Sequence, residues 1–383
     1  MENRYTDLTV ARKDNLYTVA DGVTGQKIVF VNLYYVTGSD GPSGNWVLVD
    51  AGLYGSAGRI KKAAEERFGK GARPSAIILT HGHFDHVGAL KELAAEWNIP
   101  VYAHHLEIPY LTGLSAYPPP DPTVGGGGMA YMSFMYPKKP IEMGGTVQPL
   151  PADGSVPGLP EWRWYHTPGH TAGHVSFFRE RDRVLIAGDA IVTRKPESVL
   201  AVITDEPEVC GPPAYFTPDW VSAKRSVELI ASLRPNVVAT GHGIPMKGER
   251  MLDELDELVQ FFDEMAKPTH GRYVNQPAVT DEQGVVSLPE PVSTPTTKAF
   301  ITAGLVTVAG LAVYAIARKK KQNAGKLMDG PLDNYPYDGE EMNLSVYGEI
   351  PDPREDGNYH QDIAPLSNRE TSREETKPTN NYP

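Results

Sequence analysis

Between Thr80 and His86 the chain reads Thr-His-Gly-His-Phe-Asp-His, which sets four imidazole or carboxylate groups (His81, His83, Asp85 and His86) within six positions. Burying so many ionisable groups is costly unless they are paired or hold a metal, so any fold built here must bring further ligands to the same place. The run follows Ala76-Ile77-Ile78-Leu79, an apolar stretch bounded by Pro74 and Gly82, which predicts a buried strand with the histidines on the loop at its carboxyl end. An extended backbone across Gly82 aims His81 and His83 at one ion. Asp85 and His86 lie one turn on and reach a second.

Further ligands are expected as single His or Asp residues on loops after strands, and the chain supplies them. Trp162-Arg163-Trp164-Tyr165 alternates and leads into His166-Thr167-Pro168-Gly169-His170-Thr171-Ala172-Gly173-His174, where Pro168 and Gly169 break the strand and present His170. Val184-Leu185-Ile186-Ala187 ends in Gly188-Asp189, and Val237-Val238-Ala239-Thr240 ends in Gly241-His242-Gly243. Each candidate sits at the carboxyl end of an apolar run, with glycine permitting close backbone approach. Four such ends can converge on one edge of a sandwich.

With Asp50 in Leu48-Val49-Asp50-Ala51-Gly52 placed ahead of these motifs, the sequence resembles the metallo-β-lactamase superfamily over about residues 25 to 245. The resemblance implies an α/β fold, a four-layer αββα sandwich, with two divalent ions. His81, His83 and His170 would take the first ion and Asp85, His86 and His242 the second, with Asp189 bridging. Zinc is the expected metal, with iron or manganese as alternatives. Asp85 and Asp189 would serve catalysis, and Asp189 would fix the intermetal distance and shuttle a proton. A hydroxide shared between the ions would be the nucleophile. The first ion would polarise the scissile carbonyl and the second would hold the leaving group. His174, four residues after His170, reads as support for the ligands.

Within the superfamily, the Asp189 and His242 pattern resembles the thioester and lactone hydrolase branches, whereas the true β-lactamase branch commonly has cysteine among its second-metal ligands. Two departures stand out. The helical stretch Glu249 to Ala266 is acidic where glyoxalase II enzymes carry basic residues for glutathione. Val192 stands three residues beyond Asp189, where acyl-homoserine lactonases place a tyrosine, so Tyr215 would have to supply that hydroxyl. The reading is a binuclear metal-dependent hydrolase of ester, thioester or lactone bonds on a small-molecule substrate. A mono-iron persulfide dioxygenase-like oxidoreductase using His81, His83 and Asp189, and a phosphodiesterase, are the alternatives.

The net charge of -12 argues against a nucleic-acid partner. The single cysteine, Cys210, excludes an internal disulfide framework and reads as a packing residue. Residues 1–20 carry scattered charges and no apolar core of a secretory signal. Lys27 to Thr37 and Asn45 to Asp50 predict a hairpin across Gly38 to Pro42. Asp50 is expected to orient ligands through hydrogen bonds, a turn aspartate being the alternative. Helical spacing predicts helices over 58–68, 89–97, 220–233 (capped by Asp219) and 249–266. His104 and His105 read as helix-entry or surface histidines. The Tyr110 to Pro140 stretch, with Gly125 to Gly128 and a Met and aromatic cluster, reads as a mobile apolar lid or as a loop packed on the core.

The expected domains are a catalytic domain over 1–285, a linker over 286–298, a transmembrane helix over 299–317, and a basic cluster with an acidic disordered tail over 318–383. The 299–317 stretch is uncharged and just long enough for a bilayer, a buried or peripheral helix being the alternative. It predicts a single-pass membrane anchor with the catalytic domain on the cytoplasmic side.

Overall fold

The computed structural model describes residues 10–11, 15–38, 45–125, 130, 132–137, 140–193 and 207–292. Strands β1 (Val10–Ala11), β2 (Leu16–Ala20), β3 (Val23–Ile28), β4 (Val31–Thr37), β5 (Trp46–Val49), β6 (Ala76–Ile78), β7 (Val101–Ala103) and β8 (Val147–Pro149) lie side by side in that order in an eight-stranded sheet. Pairing is antiparallel as far as β5 and parallel from β5 to β8. The switch follows from the connections. Short turns permit antiparallel neighbours, whereas the helices Ala57–Phe68 and Leu90–Trp97 supply the long crossovers that parallel strands require. A second, five-stranded sheet contains β9 (Trp162–His166), β10 (Val175–Arg179), β11 (Val184–Ile186), β12 (Val237–Ala239) and β13 (Met246–Lys247), in the order β13-β12-β11-β10-β9. Its parallel pair, β11 with β12, is joined through the helix Trp220–Ser232.

Period-two alternation sorts the side chains into layers. Tyr34, Val36, Val47, Val49 and Ile78 pack against Trp162, Phe177, Val184 and Ile186 between the sheets. Leu33, Tyr35, Leu48 and Ile77 point the other way, onto Ile60, Leu93 and Trp97 of the first two helices. Phe178, Leu185 and Val238 pack on Trp220, Val227, Ile230, Leu255 and Leu258. Both faces of each sheet are covered, which is why its central strands read as continuous apolar runs.

Three expectations are revised. The run Lys27 to Thr37 is two strands, because the chain reverses at Val29, whose φ is +62°. A β-branched residue rarely takes that conformation, and no Gly or Asn marks the turn. The 249–266 stretch breaks at Phe261 into helices Glu249–Gln260 and Phe262–Met265, with Phe262 turned in against Trp220. The third revision concerns the membrane. No helix among the described residues is long and apolar enough to cross one. The longest of them, Trp220–Ser232, has 13 residues, about 20 Å at 1.5 Å per residue against a hydrocarbon core of about 30 Å. Residues 299–317, expected to span the bilayer, lie outside the described residues, as do 293–298 of the expected linker and the tail 318–383. The fold described is therefore α/β with two mixed sheets and no spanning helix, and the single-pass anchor and cytoplasmic-face placement are withdrawn.

The hairpin of β14 (Val279–Asp281) and β15 (Gly284–Ser287) continues past residue 285, and the Arg272 side chain donates to the Pro289 carbonyl.

Candidate metal centre

The centre is built at the carboxyl ends of β5, β6 and β11, where side chains leave the sheets and meet. Parallel pairing of Val49 with Ile78 brings Asp50 beside Thr80. Asp50 holds a left-handed backbone conformation, φ +64°, a strain tolerated where surrounding bonds fix it. Its Oδ1 accepts from the Thr80 backbone N–H at 2.8 Å, and its Oδ2 accepts from the Thr80 hydroxyl and from His86 Nδ1, each at 2.8 Å. The carboxylate thus holds the Nδ1 proton of His86 and turns Nε2 inward.

Three histidines form the first set. His81 Nε2 is 3.1 Å from His83 Nδ1, which is 2.9 Å from His170 Nε2. Their rings stand nearly perpendicular to one another, at 83° to 89°. Nitrogens held about 2.0–2.1 Å from one tetrahedral ion lie roughly 3.3 Å apart, so these separations suit a shared cation. Burial pushes the His83 ring down to about 3 and holds His81 and His170 well below the ordinary value. All three are thereby kept neutral, as ligands must be.

The second set is Asp85, His86 and His242. His242 donates from Nδ1 to the Phe30 carbonyl at 3.0 Å, which turns Nε2 to within 3.4 Å of Asp85 Oδ2. Phe30 belongs to the strained turn after β3 and also stacks on the His242 ring. Asp189 lies between the sets. Its Oδ1 is 3.6 Å from His86 Nε2, and its Oδ2 is 3.5 Å from His170 Nε2 and 3.1 Å from His242 Nε2. Burial raises the Asp189 carboxyl, but the charges of His242 and His86, 3.1 Å and 3.6 Å away, outweigh it and carry it well below the carboxylate range. Burial lowers His86 and His242 in turn, and the charges of Asp189 and its neighbours more than reverse this. Asp85 is raised by burial.

His86 Nε2 and Asp189 Oδ1 are buried with no hydrogen-bond partner. A buried polar atom without a partner is costly, and coordination of a cation would satisfy both. All seven candidate ligands meet here, in three groups whose ligand atoms lie within 4.8 Å of one another: His81, His83 and His170; His81, His86 and Asp189; and Asp85, His86 and His242. Glycine is required at two approaches. A Cβ on Gly241 would stand 2.0 Å from Asp189 Oδ1, and one on Gly188 would stand 2.5 Å from His174 Nε2. His174 is not in the ligand groups. Its Nε2 accepts from the Asp189 backbone N–H at 2.9 Å, and its Nδ1 bonds the Thr167 hydroxyl, which sets the Asp189 loop in position.

A fully buried Glu107, unmarked by any sequence motif, ties the histidine loops together. Its Oε2 accepts from the Gly82 N–H at 2.9 Å and from the Tyr117 hydroxyl, and its Oε1 accepts from the Thr171 hydroxyl at 2.6 Å and the Gly173 N–H at 2.9 Å. One carboxylate thereby fixes the loop of His81 and His83 relative to that of His170. In the Tyr110 to Pro140 stretch, Tyr117 stacks on Tyr110, and Tyr136 faces Phe84 and Phe216, so its described parts pack over the site. Tyr136 and Tyr215 line a small cavity together with Asp85, Asp189 and His242. Val192 pairs with Cys210 in a β-bridge.

His104 and His105 lie apart from the ligand cluster. The buried His104 caps the 3-10 turn His105–Glu107 by accepting from the Leu106 N–H, and it stacks on His166 at 4.3 Å. Burial, with the charges of His166 and His105, pushes His104 down to about 3. The unfolded chain takes up this proton near pH 6.5, so the stability His104 contributes is full above that pH and is lost as pH falls toward 3. His104→Asn, which keeps a capping acceptor, is expected to lose several degrees less in Tm than the wild type between pH 7 and pH 4.5. Equal losses, followed by circular dichroism, would rule this out.

Residues 27–242 match the family model for the metallo-beta-lactamase superfamily. The probable metallo-hydrolase YflN of Bacillus subtilis (strain 168) is 46% identical over 258 residues, which is 67% of this chain and 97% of that protein. The probable metallo-hydrolase YybB of the same organism is 31% identical over 170 residues, 44% of this chain and 64% of that protein. Among solved structures, TTHA1623 in a di-iron-bound form is 27% identical, with a TM-score of 0.39, covering 58% of this chain and 92% of that one.

Proposed function

The chain belongs to the metallo-beta-lactamase superfamily and is a metallo-hydrolase, and from that premise we propose that it is binuclear, zinc-dependent, and specific for ester, thioester or lactone bonds. The observation that carries this reading is the position of Asp189, whose two oxygens face His86 on one side and His170 and His242 on the other. A single carboxylate so placed can serve two cations at once. When bound, divalent ions supply Lewis acidity toward a carbonyl and a nucleophile at neutral pH.

The remaining work falls to side chains of this chain. His81, His83 and His170 would hold one ion, and Asp85, His86 and His242 the other. Asp50 and the Phe30 carbonyl fix the tautomers of His86 and His242, so that both Nε2 atoms stay available. Asp189 would carry a proton toward the departing group. In the net reaction a water oxygen joins the acyl carbon, the C–O or C–S bond breaks, and the alcohol or thiol leaves with a proton. Cys210 contributes to none of the ligand groups, which fits this chemistry better than that of a cysteine-bearing lactamase centre. Among the described residues no Lys or Arg lines the three cavities that open onto the centre, so an anionic phosphodiester would find no cationic side chain there.

Elemental analysis of the purified protein, with a panel of ester, thioester, lactone and phosphodiester substrates, tests the reading. Two equivalents of zinc and turnover of at least one acyl substrate are expected. A single iron, or cleavage of phosphodiesters alone, would overturn it. His242→Ala should lower the metal content from two equivalents to about one, since it removes a member of the second set while leaving His81, His83 and His170 intact.

A further inference from the structure

His83 lines three cavities, and the largest of them differs in character from the centre it adjoins. It measures about 470 Å³, within the range of small-molecule sites. Leu53, Phe84, Val87, Pro118, Ile141 and Phe216 give it apolar walls, and its described lining includes no Asp, Glu, Lys or Arg. The Tyr117 hydroxyl at its edge is already committed to Glu107. A charged substituent placed here would lose its hydration with nothing to replace it, whereas a hydrocarbon group would gain by leaving water. The cavity meets the candidate metal centre at His83, a member of the histidine set that would hold the carbonyl-polarising ion. Asp85, Asp189 and His242 line a smaller space, which shares His83, Phe84 and Phe216 with the larger cavity, and the leaving atom would lie there.

We propose that this cavity is the acyl subsite, and that the substrate carries an uncharged hydrocarbon arm, a straight chain or an aromatic ring, on the acyl side of the bond that breaks. The assignment rests on the acyl-hydrolase reading and adds to it which part of the substrate is apolar and where it sits. Each methylene buried contributes about a fourfold gain in binding, so a chain-length series reports directly on the wall.

The test uses the full chain with its metals. In a series of thioesters sharing one thiol, with saturated acyl groups of two to ten carbons, kcat/KM is expected to rise about fourfold per added carbon until the cavity is filled. Ile141→Trp should move that optimum to shorter chains. A parallel series of straight-chain primary amides, followed by thermal shift, reads binding without turnover and should show the same trend and the same displacement by Ile141→Trp. Turnover that is flat along the acyl series, or that favours a succinyl over a butyryl arm, would overturn the subsite while leaving the hydrolase reading intact. Amide binding that tracks chain length, with no acyl substrate turned over, would support an apolar subsite here and sink the acyl-hydrolase reading. Amides showing no dependence on length would overturn the subsite whatever the turnover.

Discussion

Asp189→Ala is expected to lower kcat/KM for any acyl substrate by at least about 10³-fold, roughly 4 kcal/mol of transition-state stabilisation, and to reduce bound metal below two equivalents. Asp189 faces both histidine sets: Oδ2 lies 3.5 Å from His170 Nε2 and 3.1 Å from His242 Nε2, while Oδ1 lies 3.6 Å from His86 Nε2. Removing it takes away a carboxylate that both ligand sets share and leaves Asp85 as the one acid among the described residues lining the smaller cavity. The backbone should persist, because the Asp189 N–H still bonds His174 and the Ala187 N–H still bonds the Ala239 carbonyl. Asp189→Asn preserves shape and removes charge, so it separates the two contributions. Metal analysis beside steady-state kinetics decides the matter, and a variant retaining two ions with near-normal turnover would refute the bridging role.

The second large effect is expected at Glu107, far from any motif. Glu107→Ala strands the backbone N–H groups of Gly82 and Gly173, which have no room to turn elsewhere, while the hydroxyls of Tyr117 and Thr171 can rotate. Two buried donors left unpaired cost about 2–6 kcal/mol. The urea midpoint should therefore fall sharply. Metal retention should fall with it, because the loops bearing His81, His83 and His170 lose their common anchor. Glu107→Gln keeps the volume but points an amide NH₂ at donors, and should recover only part of the loss. Stability and metal content measured on both variants give the answer. An unchanged midpoint and full metal occupancy in Glu107→Ala would show that the clamp is dispensable.

Much of the layering was legible from local pattern. Apolar runs such as Ala76 to Leu79 and Val184 to Ala187 announce strands buried on both faces, and the ligands follow them directly, so the position of each ligand on the chain carried its position in the fold. Asp219 as a helix cap could be read the same way, since a cap bonds only to its own next turn. The reversal at Val29 could not. A β-branched residue at positive φ is paid for by contacts the chain makes with the His242 loop, 212 residues away for the bond from His242 to Phe30. The span expected over 299–317 came from composition alone, and no described helix matches it.

Local sequence determined which side chains are offered at strand ends, because period-two burial and glycine breaks act over a few residues. Tertiary structure alone decided which of them meet, which imidazole nitrogen faces inward, and that a glutamate 25 residues from Gly82 and 66 from Gly173 holds their loops together. Hydrogen bonds across such separations leave no periodic trace in the chain. Only the packing of one sheet against the other brings their partners within reach.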